Sequence, residues 1–487
     1  MVGLIALFIC ALVTLELFRL DPEPKGQISK AFWLPFLWTF IFCSRNVSSW
    51  LGVGGGEDQA QSYIDGSPLD RAILTVLLAL GLFVLLKRQR QVGVLLRSNG
   101  PILLFFLYCA ISILWSGYPD VAFKRWFRAI GDLVMILILL SETDWLLATK
   151  RLLARLSYIL VPLSIVFIRY YPQLGRTYSI GGAPQWTGVT TDKNALGMTC
   201  LLFGLAAIMR FAQIYRGEEG ERKRRPLMAQ GVLVVMSFYL IWESNCATAL
   251  ACFFLAGGVM LATYLFRLAR TPLVLHLLVA TVISVPASAL FLGMGSDMVQ
   301  DLGRNSTFTG RTWIWQIALS KVQNPIFGTG YESFWIGPRL KELAILNGEF
   351  LNQAHNGYIE VYLNLGWAGI ALLAVLLVAG YRRIAPAVRW RTQAGSLRLA
   401  FFISAVAYNF SEAGFKMTHP VWIFFLLSIA VLPKAPARKA LEIGSQMRGA
   451  HATAELSVRQ HKPAAAGAVL PEFIRRCVAL FPRLRFA

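Results

Sequence analysis

The feature that most restricts this chain is its recurring, uncharged apolar run. Ile102–Tyr118 and Val361–Tyr381 contain no charged residue at all, and runs of that length match a bilayer hydrocarbon core of ~30 Å. Apolar segments recur at 2–18, 31–47, 72–86, 101–115, 127–141, 152–169, 194–214, 228–242, 247–266, 271–294, 358–380, 399–411 and 420–433. They predict twelve or thirteen transmembrane helices. In lipid every backbone N–H and C=O must be paired internally, and continuous apolar runs meet that demand as helices. A membrane barrel would need alternating apolar residues instead. The expected fold is therefore all-α and polytopic. Composition points the same way: 56% of residues are hydrophobic and 15% charged, whereas a soluble chain carries about 25% charge. A soluble globular enzyme, a disordered protein and a disulfide-stapled secreted domain are excluded.

The 47 basic residues outnumber the 26 acidic ones, for a net charge of +21. In a soluble protein that balance would suggest nucleic acid. In a membrane protein it reflects Lys and Arg gathered in short cytoplasmic loops, so membrane lipids are the expected surroundings and no nucleic acid is. Lys87–Arg90, Arg216 with Arg222–Arg225, Arg267 with Arg270, and Arg382, Arg383, Arg389 and Arg391 are the basic loops. An even number of spans separates each pair, so one orientation satisfies all four. The connections around 170–193 and 295–355 then lie outside, and the basic, Ala-rich tail from Lys434 lies inside. The seven cysteines are scattered without a CxxC pair, which indicates neither a metal site nor a disulfide framework. Met1–Leu20 lacks a basic n-region and reads as a retained span.

One connection between spans is exceptional. About 60 residues separate Gly295 from Asn356, and loops of that length are functional or disordered. This one holds Trp313, Trp315, Phe327, Tyr331, Phe334 and Trp335, which argues for order. Thr312–Val322 has helical spacing ended by Asn324-Pro325. The expected form is an outer cap: a helix, a turn at Gly328–Gly330, an aromatic cluster, and a return to the membrane at His355. Its aromatic residues, with Trp313, Tyr331 and Trp335 foremost, read either as an interfacial belt or as a platform for sugar rings. Arg311 opens the loop helix, where amides and a guanidinium favour phosphate. His355 reads as a structural hydrogen-bonder or, beside a basic cavity, as a general base. Glu360 lies about 1.4 turns further on and could line the same cavity.

Two further charged groups face outward on this reading. Arg176, Lys193 and Asn194 border the shorter outer loop, where charges are either interfacial anchors or ligands for a diphosphate. Lys124, Arg125 and Arg128 break the basic-loop rule. They read as an interfacial stretch reaching for headgroups or as a basic ledge for an anionic substrate. Glu412 and Lys416 could pair with each other or border the cavity.

Taken together, Gly303-Arg304-Asn305-Ser306-Thr307-Phe308-Thr309-Gly310-Arg311-Thr312-Trp313-Ile314-Trp315, Asn324-Pro325-Ile326-Phe327-Gly328-Thr329-Gly330 and Ala354-His355-Asn356-Gly357-Tyr358-Ile359-Glu360 resemble the O-antigen ligase/polymerase superfamily. Within it the chain is most similar to ExoQ-type exopolysaccharide polymerases. Thr187–Gly197 adds a further family-like segment. The resemblance implies a GT-C-like membrane glycosyltransferase of the bacterial inner membrane with its active site on the periplasmic face. Its donor would be a polyprenyl-diphosphate-linked oligosaccharide, its transfer inverting and metal-independent, with no cofactor. Arg311 and His355 match the motif positions for diphosphate and acceptor hydroxyl, and Arg176 matches the other family arginine only loosely. Arg304, Lys193, Lys124 and Arg125 complete the expected diphosphate set, and Trp313, Tyr331, Trp335 and Glu360 the glycan set. Chain-length or export proteins would be partners.

The corresponding organisation is 1–294 for N-terminal spans, 295–357 for a periplasmic catalytic loop, 358–433 for C-terminal spans and 434–487 for a cytoplasmic tail. The rivals are an O-antigen ligase acting on lipid A core and, from another class, a lipid-linked oligosaccharide flippase. A transporter favours charges at mid-span and paired broken helices, whereas the polar residues here gather on one face. A structural scaffold gives no reason for that gathering.

Overall fold

A computed structural model describes residues 1–22, 26–53, 66–179, 182–217, 224–266, 271–291, 307–347, 352–390, 392 and 394–432. Arg304, the basic residues Arg222, Lys223, Arg267, Arg270 and Arg391, Cys477 and the tail 434–487 lie outside the described residues. The described helices all fall within one unit, Met1–Pro433.

Each apolar segment of the sequence coincides with a helix. In chain order these are α1 (Val2–Leu20), α2 (Trp33–Phe42), α3 (Val47–Trp50), α4 (Pro68–Lys87), α5 (Gln89–Ser98), α6 (Gly100–Ile111), α7 (Pro119–Leu140), α8 (Trp145–Tyr170) and α9 (Pro172–Gly175). A small hairpin follows, β1 (Arg176–Tyr178) antiparallel to β2 (Pro184–Trp186). Then come α10 (Lys193–Tyr215), α11 (Arg224–Glu243), α12 (Ala247–Leu265), α13 (Pro272–Phe291), α14 (Thr307–Ser320), α15 (Pro338–Asn347), α16 (Gly357–Arg389), α17 (Gly395–Tyr408) and α18 (Pro420–Ile429).

Among the described residues, seven helices (α1, α4, α8, α10, α11, α12 and α16) are long and apolar enough to cross a bilayer alone. An eighth span results if α5 and the segment Gly100–Trp115, bent by 88° at Asn99, count as one. Four further apolar helices are shorter. These helices, with α7, whose first half carries Asp120, Lys124, Arg125 and Arg128, correspond one for one to the thirteen apolar segments of the sequence, though several are too short or too charged to cross a bilayer alone. α10 sits at the centre, buried on every side from Leu196 to Leu205, whereas α1 buries only Ala6, Cys10 and Leu17. The lipid-facing side is plain from large exposed apolar residues: Leu4, Phe8, Val76, Phe83, Leu107, Val235, Phe254 and Val378 are each more than half exposed. In water such a continuous belt would aggregate. The protein is a multi-pass, all-α membrane protein.

Where α16 begins, the fold departs from a simple bundle. Gly366 breaks the helix with φ 65° and ψ −164°, and the segment Asn324–Gly330 threads into the break. Trp367 N donates to Pro325 O at 2.9 Å and Ala368 N to Ile326 O at 3.0 Å. In return, Gly330 N donates to Asn364 O at 2.9 Å and Thr329 N to Leu363 O at 3.2 Å. The groups freed by the broken helix are thereby satisfied, as burial demands. Both glycines are obligatory, since a Cβ on Gly366 would lie 2.3 Å from Ile326 O, and one on Gly328 2.5 Å from Asn364 O.

Candidate functional site

The N-terminal end of α16 meets the connection between α17 and α18, and three chain segments converge there. Asn356 caps α16: its side-chain oxygen accepts from Tyr358 N at 3.0 Å and Ile359 N at 3.1 Å, while its amide donates to Phe410 O at 3.0 Å. Gly357 N donates to both Asn409 O at 2.9 Å and Glu412 O at 3.0 Å. A side chain at Gly357 would strike Asn409 Oδ1 at 1.7 Å. The His-Asn-Gly sequence is therefore a docking element for residues 409–412.

That docking brings Glu412 beneath His355. His355 Nδ1 lies 3.2 Å from Glu412 Oε2. On the other carboxylate oxygen, Glu412 Oε1 accepts from Arg311 Nη2 at 3.0 Å and from Asn194 Nδ2 at 3.2 Å. Arg311 Nη1 also donates to Ser411 O. The Glu412 side chain is 7% exposed, against 24% for Arg311 and 29% for His355. A buried carboxylate thus carries two partly open groups on its two oxygens. Because the carboxylate only accepts, it favours the proton on Nδ1 and leaves Nε2 with the lone pair, the geometry of an oriented base. Gln353 Nε2, 3.4 Å from the same nitrogen, is the weaker contact.

His355 has φ 51°, a left-handed conformation that costs a non-glycine residue about 1 kcal/mol or more. Its neighbours hold it there. Ala354 N donates to Glu360, and Ala354 O accepts from Trp315 Nε1 at 2.7 Å. Glu360 accepts Trp335 Nε1 at 2.9 and 3.1 Å. Trp335 and Glu360 are buried and form a buckle behind His355, facing the core and not an open surface; Tyr331 is buried too, but in another cluster, its backbone N–H donating to Ser112 Oγ at 3.1 Å. Trp313 alone of the expected glycan set is well exposed, at 52%.

The expected diphosphate ligands divide three ways. Lys193 is the first residue of α10, next to Asn194, which reaches Glu412. Asp192 caps that helix by accepting from Ala195 N at 2.9 Å. Arg176 is occupied elsewhere: Nε donates to Ile168 O at 2.8 Å, and its guanidinium lies over Trp186 at 4.6 Å. Lys124 and Arg125 line a separate cavity of about 400 Å³, which neither Arg311 nor His355 touches. Arg45, which gave no signal as a loop residue, holds the Thr187–Thr190 loop by donating to Gly188 O at 2.9 Å and Thr190 O at 2.8 Å.

Fold and site together define a polytopic membrane protein with an Arg–Glu–His cluster at one end of its helix bundle, clamped by a long loop. Residues 231–374, which include Arg311 and His355, match the family described as O-antigen ligase. The chain is also similar to the exopolysaccharide production protein ExoQ of Rhizobium meliloti (strain 1021), at 27% identity over 289 residues. That match covers 57% of this chain and 63% of the relative, so the chain spans less than two thirds of the relative's length. The resemblance read from the loop motifs is found again in both comparisons.

Proposed function

We propose that the chain polymerises polyprenyl-diphosphate-linked oligosaccharide repeats into exopolysaccharide at the periplasmic face of the inner membrane. The observation that supports this reading is the meeting of Arg311 and His355 on the two oxygens of Glu412. His355 Nε2 takes the proton from the acceptor hydroxyl. The hydroxyl oxygen forms a bond to the anomeric carbon as that carbon's bond to the carrier diphosphate breaks. The diphosphate leaves with the bonding electron pair, and attack from the opposite side inverts the anomeric centre. Glu412 stabilises the imidazolium that forms, in the manner of an orienting carboxylate. A positioned base of this kind contributes about 10²–10⁴-fold.

Arg311 is already neutralised by Glu412, so the leaving diphosphate calls for a further cation. Lys193 stands one residue from Asn194 and at a helix N-terminus, where amides add positive potential. Charge developing on the leaving group is met by these fixed groups, which need no reorganisation at the moment of reaction. Trp313 offers an exposed ring to the glycan.

The test is His355→Ala in a strain whose own gene is deleted. High-molecular-weight polysaccharide should disappear while membrane insertion stays normal, and full-length polymer from the variant would refute the role. In the deletion strain a single unpolymerised lipid-linked repeat is expected. Long uncoupled chains would instead mark a ligase.

A further inference from the structure

The cavity between α4, α7 and the residues after Glu412 is lined by Arg71, Lys124, Arg125, Arg128 and Lys416, five cations against two carboxylates, Asp70 and Glu332. Asp70 accepts both the backbone N–H (2.9 Å) and the hydroxyl of Ser48, and its charge also acts on Arg128, as does that of Asp132 behind the lining. Arg125 is buried and anchored by donating to Glu332 O, whereas Lys124 is exposed. Even with those carboxylates counted, cations are in the majority around about 400 Å³, and such a lining draws an anion towards it. One wall is apolar. Phe123 and Phe127, 53% and 37% exposed, carry it to the lipid-facing surface. A phosphate group bearing a long hydrocarbon chain fits both halves of this lining. A free phosphate fits only one.

The cavity opens at the same end of the bundle as His355. Lys416 follows Glu412 by four residues, so their Cα atoms lie at most about 14 Å apart along even a fully extended chain. Yet none of Arg311, His355, Glu412 or Lys193 lines it. We infer that this cavity holds the diphosphate of a second polyprenyl carrier, that of the acceptor, while the Arg311–Lys193 side holds the donor's. The assignment rests on the polymerase reading and sharpens it, because a polymerase, unlike a ligase, handles two substrates with the same headgroup. It also fixes a length. The attacking hydroxyl at His355 and the diphosphate in the cavity are the two ends of one repeat unit, so their separation selects repeats of matching span.

The test uses the full-length protein in detergent and farnesyl diphosphate as probe, titrated by calorimetry at low ionic strength. Wild type should bind two equivalents, Lys124→Ala/Arg128→Ala one, and Arg311→Ala the other one. The site remaining in each variant reports that the protein is folded. Should the double variant misfold, Lys124→Gln, at an exposed position, should weaken one of the two equivalents several-fold. A single equivalent in wild type, or two in the double variant, overturns the inference. Displacement of the cavity-bound probe by equimolar inorganic pyrophosphate, or by phosphatidylglycerol in nanodiscs, overturns the carrier assignment in favour of a free anion or a bulk lipid. The two readings fail separately. Stoichiometry of one alongside a polymer-deficient His355→Ala strain removes only this inference. Polymer from His355→Ala alongside a stoichiometry of two removes only the catalytic role.

Discussion

Glu412 receives Arg311 and Asn194 on one oxygen and faces His355 with the other, so a change of one atom there reaches three partners. Glu412→Gln keeps the shape but replaces one acceptor by a donor and removes the charge that, on the proposed mechanism, stabilises imidazolium. Polymer synthesis in isolated membranes should fall by about 10²-fold, the low end of a general-base contribution, with protein level unchanged. Wild-type rate in that variant would leave His355 without an orienting partner. Arg311→Lys should lose comparable activity, because an ammonium cannot span Ser411 O and Glu412 as the guanidinium fork does. His419 gives a pH signature. It lies outside the spans at the N-cap of α18, where its Nδ1 accepts from Val421 N at 3.3 Å. Burial, with the nearby Lys416 ammonium, pushes its pKa down from 6.5 to about 3. The unfolded state therefore binds a proton that the folded state refuses, and stability falls as pH drops from about 6.5 towards 3. Thermal unfolding in detergent should show that slope, and His419→Asn, which can still cap, should flatten it. Arg311 and His355 were legible from residue type and from their place in a long loop. Glu412 was not assignable, because its partners lie 101 and 57 residues away in sequence and only tertiary packing brings them together.

Among the elements, the helices were legible because hydropathy is a local property, and the spacing and Asn-Pro stop announced a cap helix; it begins at Thr307 and not beside Arg311, however, so Arg311 lies in its second turn and not among its N-terminal amides. The β1–β2 hairpin and α15 gave no comparable pattern. The break at Gly366 was invisible for a physical reason: the sequence around it reads as a smooth apolar span, and what opens the helix is a strap 36 to 42 residues earlier that supplies replacement hydrogen bonds. This distinguishes two glycines. Gly366→Ala places a Cβ against Ile326 O in a left-handed conformation and should cost about 2–4 kcal/mol. Gly258→Ala lies within α12 with no atom within 4 Å of the added carbon, and should be neutral or gain up to about 1 kcal/mol. Thermal melts of the two variants, side by side, check the contrast.

At the scale of the molecule, the two ends of the bundle are built differently. One end carries buried polar contacts that tie helices together, beside an open recess lined by Lys87, Arg88, Arg90, Glu142 and Arg151. Asp21 accepts from Arg210 at 3.1 Å, from Tyr158 at 2.9 Å and from Gln230 at 2.8 Å, and Arg398 donates to Ser428 O and Ala430 O at 2.7 Å each. The other end carries the Arg311–Glu412–His355 cluster and the basic cavity. Reporter fusions at Gly220 and Gly330 should therefore register opposite sides of the membrane, and agreement between them would overturn the orientation drawn from the basic loops.

The strap through Gly366 has a bearing on traffic. Lifting it would strand amides and carbonyls in hydrocarbon, several kcal/mol for each orphaned group, so this flank of the cap behaves as a rivet. On the proposed function, a bulky, tailed substrate would then enter sideways from the bilayer on the flank that the rivet does not cross.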